Sequence, residues 1–374
     1  MLLTIKGKEN TLMTGDPSIT FFKSVYRQHV EFSIEPVKLT YDGIINDNST
    51  ITFTVPKNAD LLSQCYLHFE NLPAGADIYR YFKYISFQIG GNEIDRISSY
   101  QLYMINELEN NDSKYRIYED LKTSRSVTSG TQSKLTGGTL ALPFFFCKNY
   151  SNSLPLMSIY DQDVQIVLYL QNTKLDVIGK DIIYTLWADY IYLDKNESNR
   201  FIQNEHKILY EQHQMQDSEL VTSTNHRSRI IHKFLVKELQ WMFVDVATGG
   251  LPEEGYTQQI IDRGQEMFDT CTISCNGTDL LPEREQRFFT SMQHYKYHER
   301  LPSNNIFTYS FALHPQEVHP SGSVNFSEIN TLFIQFFDLK IPLPSSPNNL
   351  YLFNFCTSWN FLTIKDGRAY VSFI

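Results

Sequence analysis

The sequence predicts an all-β chain built as two consecutive eight-stranded antiparallel jelly-roll β-sandwiches, with short helices in loops and an N-terminal helix. Three observations carry this. Aromatic residues reach 14 %, with 26 Phe, 23 Tyr and 3 Trp in 374 residues, and aromatic and β-branched side chains fit the pleated, half-buried surface of a sheet. Apolar and polar residues alternate at period two in short runs bounded by turn signals, while long helical periodicity is nearly absent. The two halves also repeat one order of elements, and a period of well over a hundred residues means a duplicated domain rather than a solenoid.

Taken in order, the chain opens on an arm. Gly15-Asp16-Pro17 places a capping carboxylate before a proline suited to the first helical position. Ile19, Phe22 and Tyr26 follow at helical spacing with Lys23 and Arg27 on other faces, which predicts a helix over 17–28. Packing on its own domain and reaching a neighbour both fit this arm, residues 1–29. A first sandwich is expected over 30–200. Ile85, Phe87 and Ile89 alternate with Ser86 and Gln88, and Gly90-Gly91-Asn92 turns the chain into Ile94-Asp95-Arg96-Ile97, a hairpin. Leu102, Ile105 and Leu108 predict a helix over 100–109, and Val164, Ile166, Leu168 and Leu170 a strand.

Asp194-Lys195-Asn196-Glu197 resembles the capped start of a short helix after the strand Trp187–Leu193, and a second β run opens at His206, giving a second sandwich over 201–374. There Thr272–Cys275 closes on Asn276-Gly277, a strong type I′ turn signal. Phe307, Tyr309, Phe311 and Leu313 predict one strand face, and Leu332, Ile334 and Phe336 another. The repeat is visible in spacing: the strand opening at Val164 comes seventeen positions after Cys147, and Thr331 comes seventeen positions after His314.

Composition excludes several functions. Thirty-two Lys+Arg against 42 Asp+Glu give a net charge of −10, whereas wrapping nucleic acid needs clustered positive charge, so no direct nucleic-acid contact is expected. No apolar run reaches the length of a membrane span, and Met1–Lys8 does not read as a signal peptide. Five cysteines, Cys65, Cys147, Cys271, Cys275 and Cys356, read as free thiols. The sequons at Asn48, Asn111, Asn149, Asn196, Asn276 and Asn325 read as chance matches without secretion.

Catalytic signatures fail in turn. Gly7-Lys8 and Gly179-Lys180 lack the upstream glycine of a phosphate loop, and neither a Gly-x-Ser-x-Gly elbow nor His-Glu-x-x-His occurs. Cys271 and Cys275 share a strand face with no second cysteine pair, and read as core. His294 and His298, His314 and His319, and the pair Asp161 and Asp163 are the remaining groupings that could bind a metal or work as acid and base. Read as strand ends and polar loops, they predict no enzyme, no cofactor and no metal site.

Specific strings then point to a family. Thr14-Gly15-Asp16-Pro17-Ser18-Ile19-Thr20-Phe21-Phe22-Lys23-Ser24-Val25-Tyr26-Arg27-Gln28-His29, followed by Phe32-Ser33-Ile34-Glu35, closely resembles the N-terminal signature of major capsid proteins of nucleocytoplasmic large DNA viruses. Leu142-Pro143-Phe144-Phe145-Phe146-Cys147 with Leu154-Pro155-Leu156, Trp187–Asp194, Val236–Trp241, Asn276-Gly277 with Arg287-Phe288-Phe289, and Tyr309–Leu313 with Pro320–Ser327 match the same family in order. The family's C-terminal stretch is usually rich in glycine and methionine, and Trp359–Tyr370 keeps only its outline.

The resemblance implies a double jelly roll and a homotrimer whose six sandwiches form a pseudo-hexagonal capsomer, tiling the icosahedral shell of a large double-stranded DNA virus assembled in the host cytoplasm. Implied partners are the chain itself, neighbouring capsomers, minor capsid proteins at the inner face and the internal viral membrane. The arm, through Lys6, Lys8, Phe22, Lys23, Tyr26 and Arg27, is expected at that inner face, and polar loops over 110–138 and 246–265 at the outer one. A minor or divergent capsid paralogue of the same fold, and a carbohydrate-binding β-sandwich suggested by the Tyr and Phe content, are the alternatives. A metal-dependent hydrolase using His294, His298 and a nearby carboxylate is a third.

Overall fold

The computed structural model describes residues 7–24, 26, 28–72, 76–122, 136–171, 181–247, 259–341 and 348–373. Its first element is α1 (Lys8–Thr14), and the helix expected over 17–28 is absent from the described residues of that stretch. Asp16 sits at φ 48°, left-handed rather than in the extended conformation of an N-cap. Ile19, Phe22 and Tyr26 all face solvent, and a helix of about 12 residues is marginal in water without a body to bury its apolar stripe. In α1 local hydrogen bonds suffice: the Gly7 N–H donates to Asn10 Oδ1 at 3.2 Å, and the Thr14 hydroxyl to the Asn10 carbonyl at 2.7 Å.

The first half then supplies β1 (Phe32–Leu39), β2 (Tyr41–Asp42), β3 (Thr50–Thr54), β4 (Leu61–Leu72), β5 (Phe82–Ile89) and β6 (Asn92–Ser98). Helices α2 (Ser99–Glu109) and α3 (Asp112–Lys122) follow, then β7 (Thr136–Ala141), α4 (Phe145–Lys148), β8 (Leu154–Pro155), β9 (Val164–Leu170) and β10 (Ile183–Leu193). After α5 (Lys195–Gln203) come β11 (His206–Met215), β12 (Glu219–Leu220), β13 (His226–Ile230), β14 (Leu235–Ala247), β15 (Thr270–Cys275) and β16 (Thr278–Glu285). The chain ends with α6 (Gln293–Tyr297), β17 (Ile306–Ser310), β18 (Val324–Asn325), β19 (Leu332–Phe337), β20 (Asn348–Lys365) and β21 (Arg368–Val371).

Topology makes the duplication explicit. One sheet of the first half runs β1-β10-β4-β7 with β8 beside β4, and its counterpart runs β11-β20-β14-β17 with β18 beside β14. The facing sheets contain β3-β9-β5-β6 and β13-β19-β15-β16. Each of these strands of the first half therefore has its equivalent ten strands later, and these four-stranded sheets interleave non-consecutive strands as a jelly roll does. Leaving aside two-residue strands, eight strands build the first sandwich, and the second adds only the terminal β21.

Local sequence sets the turns. Gly90 and Gly91 adopt φ 58° and 78° between β5 and β6, and Asn276 and Gly277 adopt 50° and 83° between β15 and β16, the two positive angles of a type I′ hairpin turn. The Asp194 carboxylate caps α5 by accepting from the Glu197 N–H at 2.7 Å. Two expectations need correction. The loop expected over 110–138 begins as helix α3, started by Asn111 Oδ1 accepting from the Lys114 N–H at 2.9 Å; residues 123–135 lie outside those described, as do 248–258 of the second polar loop. The strand expected to reach Leu313 stops at Ser310, because the N–H groups of Phe311 and Ala312 both turn to the Lys237 carbonyl.

The cores alternate across one sheet. Trp241 and Phe243 of β14 pack with Phe268, Phe307 and Phe336 inside the second sandwich. Their sequence neighbours Met242, Val244 and Val246, with Phe353 and Phe355 of β20, belong instead to the core shared with the first sandwich. That sheet is buried on both faces, as its near-continuous apolar runs require.

Candidate assembly site

Of the groupings considered for chemistry, His314, His319 and Asp163 are exposed, and the others are held in structural contacts. Cys271 is buried in the core, and the Asp161 carboxylate reaches Arg368 at 3.4 Å beside an exposed turn. His294 directs Nδ1 at the Thr290 carbonyl at 2.7 Å, and His298 directs Nε2 at Glu238 Oε1 at 2.8 Å and Nδ1 at Gln316. Among the described residues no three His, Cys, Asp or Glu side chains are grouped to hold a metal ion. A cavity of about 630 Å³ in the second sandwich is lined by Arg263, Glu266, Asp269, Glu285 and Arg287, and its one aromatic residue, Phe268, is buried. No described helix is long and apolar enough to cross a membrane.

What the fold does build is a junction. From the first half, β6, α2 and α4 present Asp95, Tyr100, Glu107, Phe145 and Lys148; the second half meets them with β11, β20 and Arg300 just after α6. Phe145 packs against Tyr210 with ring centroids 5.2 Å apart, and Tyr100 against Phe353 at 5.0 Å. The Asp95 carboxylate accepts both the backbone N–H of His213 and its ring Nδ1–H, each at 2.8 Å. Arg300 binds Glu107 at 2.9 Å and stacks over the Tyr115 ring at 3.2 Å.

At its centre lies a buried ionic chain. Lys148 contacts Glu109 and Glu211, each at 2.8 Å, and Glu211 also binds Lys237, whose ammonium donates to the Pro315 carbonyl and lies over the Trp359 ring. Burial alone would raise the Glu211 carboxyl, but the two ammonium groups override it and hold the group at about 2. Burial likewise opposes the charge of Lys148, and Glu109 and Glu211 together still push its ammonium above the ordinary lysine range. Charges arranged this way are matched, so the junction keeps its ions rather than neutralising them.

The second surface is the arm. Phe22 is 99 % exposed, Phe21 90 % and Tyr26 86 %, and Lys8 and Lys23 also face solvent. Lys6 and Arg27, expected beside them, lie outside the described residues. The arm leads into β1, an edge strand whose register sets Phe32 opposite Leu193, Ile34 opposite Ile191 and Lys38 opposite Trp187. Opposed residues share a sheet face, so the exposed Phe32, Ile34 and Trp187 lie on one outward side of the first sandwich. Sequence reasoning names the arm and misses this face and the junction. The signal was present in Phe32, Ile34 and Pro36 alternating with Ser33, Glu35 and Val37, although alternation alone leaves open which side meets solvent.

Comparison with known proteins follows this architecture half by half. A family profile described as "Large eukaryotic DNA virus major capsid protein" matches residues 197–369, and one described as "Major capsid protein N-terminus" matches residues 20–202. The major capsid protein of Pyramimonas orientalis virus is 29 % identical over 413 residues, covering 99 % of this chain and 97 % of that protein. That of Paramecium bursaria Chlorella virus 1 is 27 % identical over 381 residues, covering 88 % and 84 %. Among solved structures, the quasi-atomic model of the PBCV-1 virus capsid superposes with a TM-score of 0.80 at 22 % identity, covering 95 % of this chain and 100 % of that one. The Faustovirus major capsid protein gives 0.71 at 15 % identity, covering 96 % and 94 %.

Proposed function

Because this chain belongs to the major capsid proteins of large eukaryotic DNA viruses, we propose that three copies associate as a pseudo-hexagonal capsomer that tiles an icosahedral shell. A structural subunit of the virion needs no active site, and the homologues are structural proteins rather than enzymes. The observation that carries the proposal is the strand-for-strand duplication: three chains of two equivalent sandwiches present six near-equivalent corners. The division into an arm over 1–29 and sandwiches over 30–200 and 201–374 is part of this reading.

Within such a trimer the sides of neighbouring sandwiches would be covered, and obligate interfaces commonly bury about 2,000–5,000 Å². The outward face carrying Phe32, Ile34 and Trp187 supports a position at such a contact, since exposed apolar side chains gathered on one face mark interaction surfaces. The arm, with Lys8, Phe22, Lys23 and Tyr26 exposed, would lie at the inner face against minor capsid proteins or the internal membrane, with Lys6 and Arg27 beside them. Assembly in the host cytoplasm belongs to the same proposal.

The test is solution mass by light scattering coupled to size exclusion. One chain is 43.6 kDa, so a closed trimer runs at about 130 kDa. A monomer at shell-forming concentration would overturn the capsomer.

A further inference from the structure

We propose that Cys65 and Cys147 are a redox modification site: a latent disulfide that fastens α4 to β4 and locks the junction between the two sandwiches. The geometry rests on one oxygen. The thiols of Cys65 and Cys147 both donate to the Ser63 carbonyl, each with 3.7 Å between sulfur and oxygen. The backbone brings them there: the Leu142 N–H donates to the Cys65 carbonyl at 3.0 Å, and the Cys147 N–H donates back to the Phe144 carbonyl at 2.8 Å, turning α4 over β4.

The two thiols are unequal in a useful way. Cys65 is buried and Cys147 only half-buried, so an incoming reagent meets Cys147 first. The neighbouring Cys147 side chain, and then burial, hold the Cys65 thiol well above the ordinary cysteine range. Cys65 is therefore a poor initiator, because the thiolate is the attacking species, and it attacks second, where Cys147 Sγ is held beside it on the same carbonyl.

The oxidant is a small-molecule disulfide of the glutathione class. The Cys147 thiolate attacks one donor sulfur, the donor S–S bond breaks, and one donor thiolate leaves and takes up the proton that Cys147 released. Cys65 then loses its proton and attacks Cys147 Sγ in the mixed disulfide, expelling the second donor thiolate, which is protonated in turn. Two protein thiols are oxidised by two electrons to one disulfide, and one donor disulfide is reduced to two thiols.

The consequence follows from what α4 carries. Phe145 packs on Tyr210 and Lys148 binds Glu211, so this single turn makes an aromatic and an ionic contact with the second sandwich. A bond at Cys147 fixes both. On the virion reading above, a particle passing from a reducing cell to an oxidising exterior closes this lock after assembly.

The test uses the full-length chain, purified reduced and exposed without denaturant to oxidised glutathione, then trapped by alkylation and mapped by mass spectrometry without reduction. The expected result is a Cys65–Cys147 cross-linked peptide with loss of two hydrogens, and a thermal midpoint raised by about 5 °C or more. Both effects vanish in Cys147→Ser and persist in Cys275→Ser. A stable glutathione adduct on Cys147 with no cross-link, or no reaction at Cys147, overturns the proposal. Neither outcome depends on whether the chain forms trimers, so failure here leaves the capsomer to its own test.

Discussion

At the scale of single residues, the buried charges decide more than their number suggests. Glu211 is enclosed with two ammonium groups, and exchanging it for the isosteric amide leaves Lys148 and Lys237 buried with half their compensation removed. Glu211→Gln is expected to cost about 3–5 kcal/mol in chemical denaturation. The exposed Lys340–Asp269 pair, although it closes to 2.7 Å, is screened by solvent, and Lys340→Ala should leave the denaturation midpoint unchanged.

Two histidines act in the opposite sense. Burial pushes His232 down to about 4, and burial with the nearby His298 pushes His294 down to about 3. Both have a buried Nε2 without a hydrogen-bond partner. A folded-state value below the unfolded one means that the unfolded chain takes up the proton first. Stability is therefore complete above about pH 6.5 and falls as the pH drops toward 4. Each histidine should remove about 2 kcal/mol by pH 5, read as a falling thermal midpoint, and His232→Leu should flatten that slope. Below about pH 4.5 proton uptake by Glu211 in the unfolded chain adds to it, since the folded group is held at about 2 and keeps its charge.

At the scale of elements, hairpins and caps were the most legible features. Gly90-Gly91, Asn276-Gly277 and Asp194 each act through backbone angles or hydrogen bonds within a few residues, so the signal needs no distant partner. Gly277 isolates the backbone contribution, because an added Cβ would meet nothing within 4 Å while φ is +83°. Gly277→Ala should therefore cost about 1 kcal/mol from conformation alone, measured by equilibrium unfolding. The N-terminal helix was misplaced for the converse reason. The stripe Ile19, Phe22 and Tyr26 has the right period, but period becomes helix only where the stripe finds cover, and here all three side chains are exposed. Helix α3 escaped notice because its apolar face is short, consisting chiefly of Tyr115 and the buried Tyr118.

At the scale of the whole molecule, the two sandwiches are joined through a sheet that serves two cores. Phe353 lies against Tyr100 of the first half while its neighbour Leu352 lies in the second core. Phe353→Ala should cost about 3–5 kcal/mol and loosen the junction, read as separate unfolding steps for the two halves in calorimetry. Removing residues 1–28 takes away exposed side chains and no described core residue. That truncation should preserve folding and trimer mass yet abolish shell formation, and normal shells by electron microscopy would refute a role for the arm in assembly.

The sequence by itself determined the sandwich class, the duplication, most turns and the absence of a recognisable catalytic motif, because periodicity and turn chemistry are written within a few residues of one another. It also carried the family's ordered strings, and hence the membership among major capsid proteins. Only the tertiary structure decided what covers each face. The run Trp241-Met242-Phe243-Val244 reads as apolar throughout, but which residues fill their own sandwich and which seal the junction depends on a partner surface more than a hundred residues away. The same holds for Glu109, Lys148, Glu211 and Lys237, scattered along the chain and joined only because folding excludes the water that would otherwise solvate each one.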